Sequence, residues 1–166
     1  DAGADPMFGS IDPARPSAAD VFVHAEIPET VTVGVVKPYE PTADSIAWRR
    51  QRLAQSVAGR IINRRFAARA LAEDAPFSSA SFSVQPAFDR FQEAEVTATV
   101  PDGQWRAGLA AIDQIFRQAL QYGFAQSELD EQLSALRSAF TNLARGADTR
   151  QSGSIADQIL NQLTLR

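Results

Sequence analysis

One histidine, one lysine and no cysteine among 166 residues set narrow limits on the chemistry this chain can carry. With His24 as the only imidazole, neither His-Glu-x-x-His nor the inverted His-x-x-Glu-His can be written. A serine-histidine-carboxylate triad would have to use the same side chain, and no Gly-x-Ser-x-Gly elbow precedes a helix. "SGSIA" and "GSIAD" read instead as helix-start chemistry, in which a serine hydroxyl accepts a backbone N–H bond. Lys37 lies in no Gly-x-x-x-x-Gly-Lys-Ser/Thr loop, so nucleotide binding by a known phosphate cradle is not expected. The absence of cysteine removes a disulfide framework, a zinc ribbon, a thiol nucleophile and an iron-sulfur site.

The carboxylates form two sets. Glu93 and Glu95 share one strand face, and Glu128, Asp130 and Glu131 crowd a helix start, where negative charge favours the positive end of the dipole. Neither set has an evident apolar pocket that would raise a carboxyl pKa for acid-base work. No catalytic, cofactor-binding or metal-binding residue is therefore assigned.

The arginines are the remaining candidates: Arg49, Arg50, Arg52, Arg60, Arg64, Arg65 and Arg69 fall on one helix. A nucleic-acid interface would interleave such residues with exposed aromatics, but Trp48 and Phe66 fall on or near the apolar stripe. With 16 basic against 20 acidic residues the net charge is -4, which gives no footprint for a polyanion. Arginine stems also lie well along apolar surface and pair with acids four residues away. A solvated or interdomain face is the preferred reading, with nucleic-acid binding as a remote alternative.

The elements that must hold these residues follow from periodicity. At 45% hydrophobic and 22% charged, the composition suits one folded domain with a real core. Residues 1–18, broken by Pro6, Pro13 and Pro16, read as an interdomain linker or extended arm, and 19–166 as the domain. The opening without methionine reads as a piece of a longer polypeptide. Val21, Val23, Ala25 and Ile27 alternate with Phe22, His24 and Glu26, which predicts a strand; a turn at Pro28-Glu29 leads to a second with Val31, Val33 and Val35 in phase. Thr42 or Asp44 is placed to cap a long helix carrying Ile46, Leu53, Val57, Ile61 or Ile62, and Phe66.

Strands at Ser79–Val84 and Phe91–Val100 come next, and the opposition of Ala94, Val96, Ala98 and Val100 to Glu93, Glu95, Thr97 and Thr99 implies a sheet covered on one face. A second helix carries Trp105, Leu109, Ile112, Phe116 and Ala119 and closes at Gly123. Ser127 caps a third, with Asp130 in the capping-box position and Leu129, Leu133, Leu136, Phe140 and Leu143 on its apolar face. A last helix carries Ile155, Ile159, Leu160 and Leu163. Together these predict an α+β fold: a two-layer α/β sandwich with helices on one face of a largely antiparallel sheet.

The stretches "VTVGVVKPYEPTADSIAWRRQRLAQSVAGRIINRRFAARALAEDAPFSSAS", "PDGQW", "IFRQALQYGFAQSELDEQ" and "ADTRQSGSIADQI" resemble the second, non-catalytic domain in the amino-terminal half of bacterial pitrilysin/insulinase-family zinc metallopeptidases. The segment Ile62 to Phe77 matches the family pattern in order and spacing, and "FGS" with its Pro-rich continuation resembles the link out of the catalytic domain. The resemblance implies a mixed, mostly antiparallel sheet and a structural domain that helps enclose a peptide-cleaving chamber. It implies no activity for this chain alone, because zinc and its ligands belong to the preceding domain. The partners implied are neighbouring homologous domains and the parent's peptide substrates, without nucleic acid or membrane, in a bacterial compartment leaning periplasmic. An assembly subunit of a catalytically dead family member is the alternative. Removed from its neighbours, such a domain is expected to self-associate through the apolar surface they cover.

Overall fold

The computed structural model describes residues 11–12, 14–87, 90–147, 152–153, 156–157 and 159–160. Its elements run β1 (Thr30–Pro38), α1 (Ile46–Ala70), β2 (Ser79–Ala87), β3 (Phe91–Thr99), α2 (Trp105–Tyr122) and α3 (Gln126–Arg145). The α+β class is as expected, with one open sheet in the order β1-β3-β2 and both pairings antiparallel. The sheet is therefore not mixed among the described residues. β1 and β2 point the same way, joined through α1, and β3 fills the gap between them as a split β-α-β unit. The chain divides into two compact units, residues 1–125 and 126–166.

In the first unit, register explains the core. Val33, Val96 and Phe82 lie in one row across the sheet, Val31, Ala98 and Ala80 in the next, and Val35, Ala94 and Val84 in a third. The small-apolar alternation seen in the sequence thus becomes one continuous apolar face. Ile62 and Phe66 of α1 and Ile112 of α2 pack with Val96 and Ala98 on that face, with Phe77 closing the cluster. Phe66 is wholly buried and meets the Phe77 ring edge-on at 6.1 Å between centroids and the Phe116 ring at 5.9 Å. Such aromatic pairs contribute beyond their buried area.

Where α2 crosses the sheet end, Gly108 is required for a different reason than flexibility. Any Cβ there would run into Val100 Cγ1, so glycine sets how closely the helix approaches. At the other end of α2, Gly123 adopts φ 71° and its N–H returns to Ala119 O at 3.0 Å, the C-terminal closure its position predicts. The second unit contains α3, which carries Glu128 in its first turn and Arg145 in its last, each matched in sign to the helix dipole.

Several expectations are corrected. Residues 21–27 form no strand: the chain turns there, with Ile27 N–H on His24 O at 3.3 Å, and Val21, Phe22 and Val23 are more than four-fifths exposed. Alternation states which side chains would share a face if the segment were paired; without a neighbouring strand its N–H groups at Val21, Glu26 and Ile27 turn to local acceptors instead. The cap of α1 is Ser45, whose Oγ accepts the Trp48 N–H at 3.1 Å, rather than Thr42 or Asp44. Helix α3 begins at Gln126, which places Ser127 inside the helix; Asp130 instead receives Gln126 Nε2 at 2.8 Å. Ile46, Leu53 and Trp105 lie on the expected stripes yet remain exposed, as do Phe140 and Leu143 of α3. Ile46 and Leu53 sit on the first turns of α1, ahead of Val57, where burial of that helix begins. Of the last expected helix, residues 156, 157, 159 and 160 are helical, and Ile155 and Leu163 lie outside the described residues. The linker reading at 1–18 also falls largely outside them.

Candidate functional site

The side chains that could do chemistry are dispersed. His24 sits in an exposed turn, stacked parallel to Phe22 with its Nδ1 accepting the Glu26 N–H at 3.2 Å. Among the described residues no group of three or more His, Cys, Asp or Glu converges as a metal site would need. On β3, Glu95 accepts the Thr97 hydroxyl at 3.0 Å, and that hydroxyl also meets Thr32 Oγ1 at 3.0 Å. The first contact lies within β3, and the second joins β1 to β3 at the paired residues Thr32 and Thr97, a cross-strand contact of the kind that sets register. "GSIAD" includes Ser154 and Ile155, which lie outside the described residues.

The arginines of α1 are largely committed to the fold. Arg49 forks onto Asp44, with Nε on Oδ1 at 2.7 Å and Nη2 on the other oxygen, and this pair holds the Asp44 carboxyl below the usual carboxylate range. Arg69 donates to the Asp74 carboxylate at 2.8 Å and to its carbonyl at 3.0 Å, so it ties the helix end to the turn before β2 and lowers the Asp74 pKa. Arg65 donates to Gly123 O at 3.1 Å and lies over the Phe124 ring at 5.2 Å, joining α1 to the C-terminal end of α2. Arg52 stacks over Trp48 at 5.5 Å. The order "RRF" followed by "DAPF" is therefore a fastening pattern: the rings of Phe66 and Phe77 go inward, and Arg65 and Arg69 bind the helix to its neighbours.

Two further fasteners escaped the sequence reading. Asn63 places its Oδ1 on the Phe82 N–H at 2.7 Å and its Nδ2 on the Phe82 carbonyl at 3.0 Å, so one side chain takes both backbone groups of a residue on edge strand β2. Glu29 accepts the N–H groups of Gly103 at 2.7 Å and Trp105 at 3.2 Å, and thereby caps α2 from outside the helix and its turn. The only sequence signal for either was the polar identity of a residue beside an apolar stripe or at a turn.

What the first unit does present is an open apolar groove of about 680 Å³ between the sheet and α2. Val33, Val35, Phe82, Ala94 and Val96 line it from the strands, and Leu109, Ile112 and Phe116 line it from the helix. Its polar lining comes from Glu95, Arg106, Asp113 and Arg117. Arg106 is drawn over the Trp105 ring at 4.3 Å, and Arg117 is held by Asp113 at 2.6 Å, which raises the arginine pKa further. Val33 and Val35, read from the sequence as in phase on one strand, are about half exposed. Among the described residues that line the groove there is no serine, threonine, histidine or lysine.

No family model and no curated protein matches the chain. Solved structures do. The first half of the periplasmic protease PqqL from Escherichia coli superposes with a TM-score of 0.74 at 15% identity, over 84% of this chain and 30% of that one. The complete periplasmic protease PqqL from Escherichia coli gives a TM-score of 0.71 at 15% identity, over 84% of this chain and 15% of that one. A predicted insulinase family protease from Yersinia pestis gives 0.62 at 15% identity, over 79% of this chain and 28% of that one. The chain thus spans less than a third of each of these proteins. Its α+β fold is that of a domain found within insulinase-family proteases.

Proposed function

We propose that this chain is a non-catalytic structural domain of a larger zinc-dependent metalloendopeptidase of the insulinase/pitrilysin type, contributing a wall to the chamber that encloses peptides. The observation that carries the reading is the shared fold over 84% of this chain with only part of a protease half. The fasteners agree with that role: Asn63, Glu29, Arg65 and Arg69 are used to hold elements together, and a rigid wall is what such a domain supplies. One histidine cannot make a two-histidine zinc site, so the metal and its general base reside in another domain of the parent. A bacterial periplasmic setting follows the neighbours described as periplasmic.

The test is to incubate the purified chain with zinc and an internally quenched peptide. The expected result is no turnover above the zinc blank. Cleavage that is abolished by a chelator and travels with the folded chain through chromatography would overturn the assignment.

A further inference from the structure

Two exposed surfaces of the first unit set apolar residues among charges of opposite sign. Ahead of β1, Val21, Phe22 and Val23 stand more than four-fifths in solvent between Asp20 and Glu26. Three consecutive large apolar side chains left so open mark a contact surface. Residues 20–29 hold three carboxylates and no lysine or arginine. On α1, Ile46 and Leu53 are exposed, and Arg49, Arg50 and Arg60 stand three, four and seven positions from one or the other, which puts all five on one helix face. Arg49 is engaged by Asp44, whereas Arg50 and Arg60 have no ion pair among the described residues. Residues 44–60 hold four arginines against one aspartate in a chain of net charge -4, so positive charge is concentrated on this part of α1.

The two surfaces lie at opposite ends of the sheet. Residues 20–27 lead into β1 at Thr30, and α1 starts beyond its far end at Pro38. The nine residues of β1 span about 30 Å, about the full reach of residues 20–29 drawn straight, so within one chain the segment has nothing left to lay on the helix. In two copies set antiparallel about a two-fold axis, each acidic end faces the basic end of the other. We propose that this chain forms such a homodimer, in which residues 20–26 of each copy lie on the first turns of α1 of its partner. Asp20 and Glu26 then meet Arg50 and Arg60, while Val21, Phe22 and Val23 cover Ile46 and Leu53. A nucleic acid would satisfy the arginines but set phosphate against Ile46 and Leu53; an apolar segment flanked by carboxylates matches both. The symmetry makes the contact twice. Exposed ion pairs are individually weak and screened by salt, so the dimer forms with rising concentration and loosens with rising ionic strength. This inference goes beyond the peptidase-domain reading, and its test reads mass rather than cleavage.

The experiment is sedimentation velocity, from dilute to concentrated solution and at low and high salt, on the unaltered chain, the double variant Arg50→Glu with Arg60→Glu, the double variant Asp20→Arg with Glu26→Arg, and the quadruple variant carrying all four changes. The unaltered chain is expected to double its mass with concentration, less readily in high salt. Each double variant opposes like charges in both contacts and is expected to associate at least about tenfold more weakly, because four ion pairs become repulsions at once. The quadruple variant restores every pair with the signs exchanged and is expected to regain the dimer, as is an equimolar mixture of the two double variants. That recovery separates lost pairing from lost folding. A synthetic peptide of residues 18–28, which needs no variant to fold, is expected to dissociate the wild-type dimer. A wild-type chain that is monomeric at every concentration overturns the proposal. So does a quadruple variant as weak as either double variant while keeping the wild-type far-ultraviolet spectrum, or a dimer indifferent to salt and to the peptide. Salt-sensitive binding of a DNA oligonucleotide without self-association would likewise overturn it and assign the arginines to phosphate.

Discussion

Replacing Asn63 by alanine tests whether the α1 to β2 contact is held by hydrogen bonding or by packing alone. The side chain makes two bonds to one residue, at 2.7 and 3.0 Å, in a half-buried setting. A typical bond of this kind contributes about 0.5–1.5 kcal/mol net, and leaving a backbone group without a partner costs about 1–3 kcal/mol. Part of that cost is recovered by water reaching the edge strand, so a destabilisation of about 2–3 kcal/mol is expected. With a urea slope of about 2 kcal/mol/M, the midpoint falls by roughly 1–1.5 M. The measurement is urea unfolding followed by circular dichroism, paired with hydrogen exchange at the Phe82 amide, which should lose protection selectively. Asn63→Asp adds a control that composition does not confound. A carboxylate still accepts the Phe82 N–H but repels its carbonyl, so this variant should be no more stable than alanine despite keeping the shape. A loss below about 0.5 kcal/mol for Asn63→Ala, or full stability for Asn63→Asp, would refute the account, since either leaves the two bonds without energetic content.

Gly108→Ala should destabilise by about 1–3 kcal/mol, despite alanine's better helix propensity, because the new methyl collides with Val100 Cγ1. Val100→Ala in the same chain should recover part of that loss, and additive effects in thermal unfolding would show that the collision is not the cause. The carboxyls of Asp44 and Asp74 are held below their ordinary range by Arg49 and Arg69. Their contribution is therefore fully present above the unfolded value of about pH 4 and is lost as pH falls through the lower folded values. Asp74→Asn should differ from wild type at neutral pH, less so in high salt because the pair is exposed, and should match it once both forms are protonated. A difference that grows on acidification would contradict this sign.

Local pattern and tertiary outcome part company at identifiable residues. The alternation of Val31, Val33 and Val35, and of Ala94, Val96 and Ala98, was sufficient to place β1 and β3, because a period of two has only one way to bury an apolar set. The same alternation at Val21 to Ile27 produced a turn with exposed side chains, because a strand requires a partner and the pattern says nothing about whether one is present. The spacing of Val57, Ile61 or Ile62, and Phe66 identified the buried stripe of α1, but Ile46 and Leu53 on the same stripe extend beyond what the sheet covers. The candidate surface was half legible: its valines were read as sharing one strand face, and only the positions of α1 and α2 decide how much of that face stays open.

The sequence by itself determined the class of the fold and the order of the elements from β1 to α3, though not the absence of a strand at residues 21–27, since periodicity and residue identity are local properties. Tertiary structure alone decided that Glu29 caps a helix beginning 76 residues later, that Asn63 takes both backbone groups of Phe82 on the edge of β2, and that Gly108 answers to Val100. Each of these is a contact between residues far apart in the chain. Such a contact exists only once hydrophobic burial has fixed the sheet and helices against each other, and no window along the sequence contains both of its partners.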